Sequence, residues 1–297
     1  MKTRGTLVGA IVGLLLLALA SAPVTAMTPV FANPAFQATW ARTDLPVAVG
    51  QVDRTWMWGS LPYTPALHEA YADAPGGVRT VQYFDKTRME DNSYRDSAPW
   101  DVTNGLLAEE LISGRMQFGD NAFRQFPPAV VNVAGDADDP NGPTYASFNH
   151  LMGYQPIPSG WAITQTVDRA GQVGADPALG AYGVTAAYNV NVPGINHTVA
   201  SVFWDFMNSS GPISIDDQLV NGRLFPDPFY ATGYPLTEAY WTHVLVAGTP
   251  RLVLVQVFER RVLTYTPDNP EGWQVEAGNV GQHYYAWRYG QLGNPGP

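Results

Sequence analysis

The sequence predicts an α+β fold: two pseudo-equivalent β-strand-plus-helix repeat units joined by an irregular insert. Three observations lead there. Three short blocks recur in one order at nearly one offset. Val81-Gln82-Tyr83-Phe84-Asp85-Lys86 matches Val255-Gln256-Val257-Phe258-Glu259-Arg260. Upstream, Trp58-Gly59-Ser60-Leu61-Pro62-Tyr63 faces Thr232-Gly233-Tyr234-Pro235-Leu236-Thr237; downstream, Val102-Thr103-Asn104-Gly105-Leu106 faces Val275-Glu276-Ala277-Gly278-Asn279. Both sets read as an apolar strand, a turn and then a helical pattern. The residues between them differ in character, with acidic and Pro/Gly-bearing loops.

The boundaries that follow are a signal peptide over 1–26, a linker over 27–35 and a first unit over 36–120. An insert over 121–196, a second unit over 197–290 and a flexible tail over 291–297 complete the chain. Lys2 and Arg4 form a positive n-region, Leu7 to Ala20 is an apolar run, and Val24-Thr25-Ala26 is a small-x-small cleavage site. The run is short for a bilayer span, which needs roughly 20 residues. Export with cleavage after Ala26 is therefore the expectation, and an uncleaved N-terminal anchor the alternative.

In the first unit, Phe36 to Trp40 opens a helix, and Leu106, Leu107, Leu111 and Ile112 share a helical face that Gly114 stops. In the insert, Pro127 to Val133 reads as a strand, Asp136 to Pro143 as a loop and Thr144 to Met152 as a short helix. His197 to Met207 reads as an amphipathic helix leading into the second unit. Leu252 to Phe258 is apolar on both faces except at Gln256, the pattern of a central strand. Val262 to Thr266 and Trp273 to Val275 are further strands. Val280, His283, Tyr284, Trp287 and Arg288 then follow helical spacing up to Gly290.

Composition excludes some functions. The net charge of −10 disfavours nucleic acid and anionic membrane surfaces, both of which select basic patches. The chain has no cysteine, so disulfides and thiolate chemistry are out, and packing alone must hold it. Nine Trp and fifteen Tyr supply large rings for a core, or for stacking on sugars and peptides where they are exposed.

The stretch from Phe229 through Gly233-Tyr234-Pro235, Gln256-Val257-Phe258-Glu259-Arg260 and Gly278-Asn279-Val280-Gly281 resembles a repeat of uncharacterised secreted bacterial proteins. The resemblance implies export and no particular activity. More distantly, the Gly-aromatic-Pro turn before a Phe-bearing strand is similar to LGFP repeats, which implies attachment to the cell wall.

No nucleophile elbow, zincin motif or cysteine nucleophile is present. Asp85, Glu90, Glu238 and Glu259 are the carboxylates a glycosidase-like site would use; strand-end residues repeated with their blocks are the alternative. Gln82 and Gln256 are polar inside apolar strands, so each either anchors backbone or reads a ligand. Asp136, Asp138, Asp139 and Asn141 offer hard oxygen ligands for calcium, although their spacing departs from the EF-hand loop. His68, His150, His197, His243 and His283 are scattered without metal-ligand spacing.

The leading expectation is an exported, non-catalytic cell-surface or wall-associated binding module for a glycan or wall polymer, needing no cofactor. A secreted hydrolase of glycan or peptide is the alternative, and a purely structural envelope protein the third.

Overall fold

The computed structural model describes residues 30–96 and 100–293. The predicted signal peptide lies outside them. After the N-terminal helix α1 (Pro34–Ala48), four strands form an antiparallel meander in chain order: β1 (Leu67–Ala70), β2 (Val78–Phe84), β3 (Thr87–Asp91) and β4 (Val102–Asn104). Helix α2 (Leu107–Ser113) and the hairpin of β5 (Arg115–Gln117) and β6 (Phe123–Gln125) follow.

The middle of the chain is not an irregular insert. A short helix α3 (Tyr145–Phe148) precedes the hairpin of β7 (Gln165–Val167) and β8 (Val173–Ala175). Strands β9 (Ala186–Val192) and β10 (Ile195–Ala200) pair, α4 (Ser201–Met207) continues directly, and β11 (Ser210–Ile215) pairs with β12 (Gln218–Arg223). The final sheet has six strands. Its later members are β13 (Tyr240–Val246), β14 (Thr249–Val257), β15 (Val262–Tyr265) and β16 (Val275–Ala277), and α5 (Val280–Gln291) closes the fold. Strand order is β16-β15-β14-β13-β7-β8, with β13 and β7 parallel.

This overturns the predicted fold class. The described residues are mostly β, with 33% strand against 23% helix, spread over several small sheets and five helices; they do not form an α+β pair of repeat units. The middle of the chain supplies two strands of the largest sheet. Those two strands, β7 and β8, have three residues each, too short for a two-residue alternation to register in sequence. His197 to Met207 is not one helix: its first four residues belong to β10 and the rest form α4. Residues 127–133 form no strand beyond a single bridge between Asn132 and Thr144.

What the matched blocks share is local. Gly59 and Gly233 both have positive φ, +125° and +67°, and an added Cβ would meet Asp85 at 2.8 Å and Glu259 at 2.5 Å. Only glycine fits there. Neither α2 nor α5 has a side-chain N-cap. Instead, the Asp85 carbonyl accepts from Gly281 N–H at the start of α5, and the Glu259 carbonyl accepts from Glu109 N–H at the start of α2, each at 3.0 Å. Each turn thus satisfies donors that the other half's helix leaves open. Lys86 Nζ reaches Ala277 O at 2.5 Å, and Arg260 Nη1 donates to Asn104 O.

Three apolar clusters hold the chain. One joins α2, α3 and α5 to both larger sheets, with Leu111, Tyr145, Val257 and Tyr284 buried. A second lies between β13–β15 and the β10–α4 segment, around Trp241, Phe203 and Phe258. The third packs α1 against Trp58, Phe84 and Phe225.

Candidate functional site

The outer side of α1 forms one wall of an aromatic cavity. Asn33 caps the helix by accepting from Phe36 N–H, and Pro34 starts it. Phe36 and Trp40 turn inward, leaving Thr39 and Thr43, with Ala38 and Arg42, one turn apart along the cavity. Opposite them is Trp58. Its loop is pinned by the buried carboxyl of Asp44, which accepts from the N–H groups of Met57 (2.9 Å), Trp58 (2.7 Å) and Gly59 (3.0 Å). Burial still outweighs those bonds and raises the Asp44 pKa to about 6.

Phe225 and Tyr230 meet the Trp58 ring edge-on at 6.5 and 6.2 Å, and Trp100 meets Tyr230 at 5.1 Å. The buried Arg261 guanidinium lies 4.5 Å from the Trp58 ring. Burial lowers the Arg261 pKa to about 9. The cavity, open at its mouth, has a volume of about 250 Å³. Arg42 donates through Nη2 to Arg223 O at 2.8 Å, while Arg42 Nε and Trp58 Nε1 find no hydrogen-bond partner among the described residues. Both atoms are donors only. Trp100 is 38% exposed at the mouth.

The four candidate carboxylates have separate partners, and none lines this cavity. Glu90 belongs to a buried ionic cluster. Its oxygens accept from Arg79 Nη2 at 2.9 Å and Arg88 Nη2 at 2.5 Å, and Glu69 pairs with Arg88 at 3.0 Å and Arg288 at 3.3 Å. Burial pushes Glu69 and Glu90 up, but the surrounding guanidinium groups outweigh it and hold both below the usual range. Glu110, beside them, is raised to about 7 by burial. Its Oε2 accepts from the Tyr284 hydroxyl and Gln117 N–H, while its Oε1 has no hydrogen-bond partner among the described residues and lies 3.9 Å from Arg88 Nη2. Glu238 accepts from Ile157 and Thr198 N–H and meets His197 Nδ1 at 3.0 Å. Asp85 accepts from Gln282 Nε2 at 2.7 Å, and Glu259 from Tyr234 N–H at 2.8 Å.

Gln82 and Gln256 are fully buried with every amide hydrogen used. Gln256 Nε2 donates to Thr198 O and Thr237 O, and its Oε1 accepts from Ala200 N–H. Gln82 repeats the pattern with Val30 O, Thr64 O and Ala32 N–H. The calcium candidates spend their oxygens on backbone. Asp136 accepts from Ala247 and Gly248 N–H, and Asp139 from Asn141 and Leu245 N–H, so the loop docks the β13–β14 turn. Asp138 and Asn141 are exposed.

The sequence reading passed over Arg42, Trp58, Trp100 and Tyr230 as a set. They lie up to 188 positions apart in the chain and have no common spacing; only the density of aromatic residues hinted at them. No family model matches this chain, and neither a curated protein nor a solved structure is significantly similar to it.

Proposed function

We propose that this protein is an exported, non-catalytic binding module that takes a glycan or wall polymer in the cavity between α1 and Trp58. The observation that carries the reading is the pairing of aromatic walls with two buried donors that lack partners. Trp, Tyr and Arg dominate the energetics of recognition because they offer large apolar area with a polar handle. A sugar ring presents an apolar face to such walls and acceptor oxygens to Arg42 Nε and Trp58 Nε1. Export rests on the N-terminal charge pattern and the small-x-small site, and wall association on the similarity of the Gly-aromatic-Pro turn to LGFP repeats. No helix among the described residues is long and apolar enough to cross a membrane. The hydrolase alternative has no comparable support, since Asp85, Glu90, Glu238 and Glu259 each answer to their own partners.

The test is binding of the full chain to purified cell wall and to a soluble glycan panel. Trp100→Ala should weaken binding by about tenfold or more, the effect of losing one anchor ring. Its unfolding midpoint should stay within a degree or two of wild type, because Trp100 sits at the mouth. Wild-type protein that binds no glycan, or a Trp100→Ala variant that binds equally well, would overturn the reading.

A further inference from the structure

A second cavity, of about 260 Å³, opens where α5 begins beside the six-stranded sheet. Val244, Val246 and Val253 give it an apolar side. Its polar lining includes Asp136, Thr264, Thr266 and Asn279 besides Lys86, Glu276 and His283, and the last three each have a bonding capacity left over. The Lys86 ammonium carries three N–H donors. One bonds Ala277 O at 2.5 Å and a second reaches Asn279 Oδ1 at 3.4 Å. No described carboxylate pairs with it directly. Burial holds its pKa below the ordinary lysine value, with Glu276 the strongest opposing charge.

His283 Nδ1 lies 3.0 Å from the hydroxyl of the buried Tyr145. Burial, with Lys86 adding to it, lowers the imidazole pKa to about 4, so the ring is neutral at neutral pH. Its Nε2 has no hydrogen-bond partner among the described residues. Glu276 has one weak side-chain contact, with Asn269 Nδ2 at 3.4 Å. The other carboxylate of the rim, Asp136, is already committed to the β13–β14 turn.

One cleft therefore holds a cation short of an anion, a spare imidazole nitrogen, a carboxylate short of a cation, and an apolar wall. We propose that it binds a small zwitterion, a free amino acid or dipeptide. The ligand carboxylate would complete Lys86 and His283, its ammonium group would face Glu276, and its side chain would pack on the valines. A desolvated charge gains most from a ligand that neutralises it, which is why both ends of the ligand matter. This site is independent of the aromatic cavity.

The experiment uses the full chain with L-alanine, L-alanyl-L-alanine, the N-acetylated and C-amidated forms of each, and the doubly blocked forms. Calorimetry gives affinity, and the NMR signal of His283 Cε1–H locates the site. The free compounds should shift that signal saturably. Blocking either end should weaken binding by about tenfold or more, the worth of a charged hydrogen bond. Glu276→Gln should erase the preference for a free amine and keep the preference for a free carboxylate. Lys86→Met should do the reverse. Because Lys86 also holds Ala277 O, that variant tests folding as well, and Glu276→Gln decides the matter if Lys86→Met does not fold. Trp100→Ala should leave this binding unchanged. No saturable shift at His283, equal affinity for the doubly blocked compounds, or a Glu276→Gln variant that keeps its amine preference would overturn the proposal.

Discussion

Strands β2–β3 and β14–β15 share a backbone frame and fill it with opposite chemistry. In each, a glutamine near the end of the first strand pairs across with an apolar residue, Gln82 with Met89 and Gln256 with Leu263. The neighbouring pair toward the turn is Tyr83 with Arg88 in one and Val257 with Val262 in the other. All four of these side chains are fully or almost fully buried. Around Arg88 gather Glu69, Glu90, Glu110 and Arg288; around Val262 is the apolar cluster. The difference teaches that turn glycines and bonded glutamines hold the frame, while the interior between strands and helices accepts either ions or methyl groups.

The sharpest break of that comparison is to remove the central cation. Arg88→Met should cost roughly 3–5 kcal/mol, because it leaves buried carboxylates uncompensated. Val262→Ala, at the matching place, should cost about 1–3 kcal/mol as a cavity. Equal losses in urea unfolding would mean that the ionic cluster acts as plain packing.

A second difference concerns pH. The Glu110 pKa is raised on folding from 4.5 to about 7. Between those values the folded state holds a proton that the unfolded chain has released. Its stabilising contribution is therefore full below 4.5 and is lost as pH rises to 7. Relative to Glu110→Gln, wild type should lose about 3 kcal/mol across that window, at 1.36 kcal/mol per unit. Glu69 and Glu90, held below their usual range, act the opposite way and only under more acid conditions. Parallel stability–pH curves for the two proteins would remove Glu110 from the account.

The glutamines themselves sharpen the likeness. Gln256→Ala should cost about 2–4 kcal/mol, from orphaned backbone groups and a void. Gln82→Ala should cost less, about 1–3 kcal/mol, because two of its partners belong to the Val30–Ala32 segment, which can return to water. Equal unfolding midpoints for the two variants would show that the segment is as firmly packed as β10. The smallest effect belongs to Arg95, whose pair with Asp120 at 2.8 Å is largely exposed. Arg95→Ala should change stability by less than about 1 kcal/mol, and by less again in high salt.

Several elements were legible because their signals are local. Leu252–Phe258 announced a central strand by a run that is apolar except at Gln256, and β14 covers Thr249–Val257. Leu107, Leu111 and Ile112 announced α2, and Gly114 ends it with φ of 70°. Gln256 stood out as the one polar residue of the Leu252–Phe258 run, and of the two readings open to it the structure shows the backbone anchor, to the carbonyls of Thr198 and Thr237. Gly290 did not stop α5, which runs to Gln291.

By itself, then, the sequence determined the elements whose hydrophobic period or turn chemistry is complete within a dozen residues. It also determined the absence of disulfides and the acidic charge. The tertiary structure alone decided that the middle of the chain adds β7 and β8 to the largest sheet, because edge pairing depends on backbone hydrogen bonds that leave little trace in side-chain pattern. It alone brought Arg42 to Trp58, and Lys86 to His283. Those pairings arise from the docking of α1 on its core and of α5 on the turn after β2. They are contacts between surfaces distant in the chain, and no spacing rule within one segment encodes them.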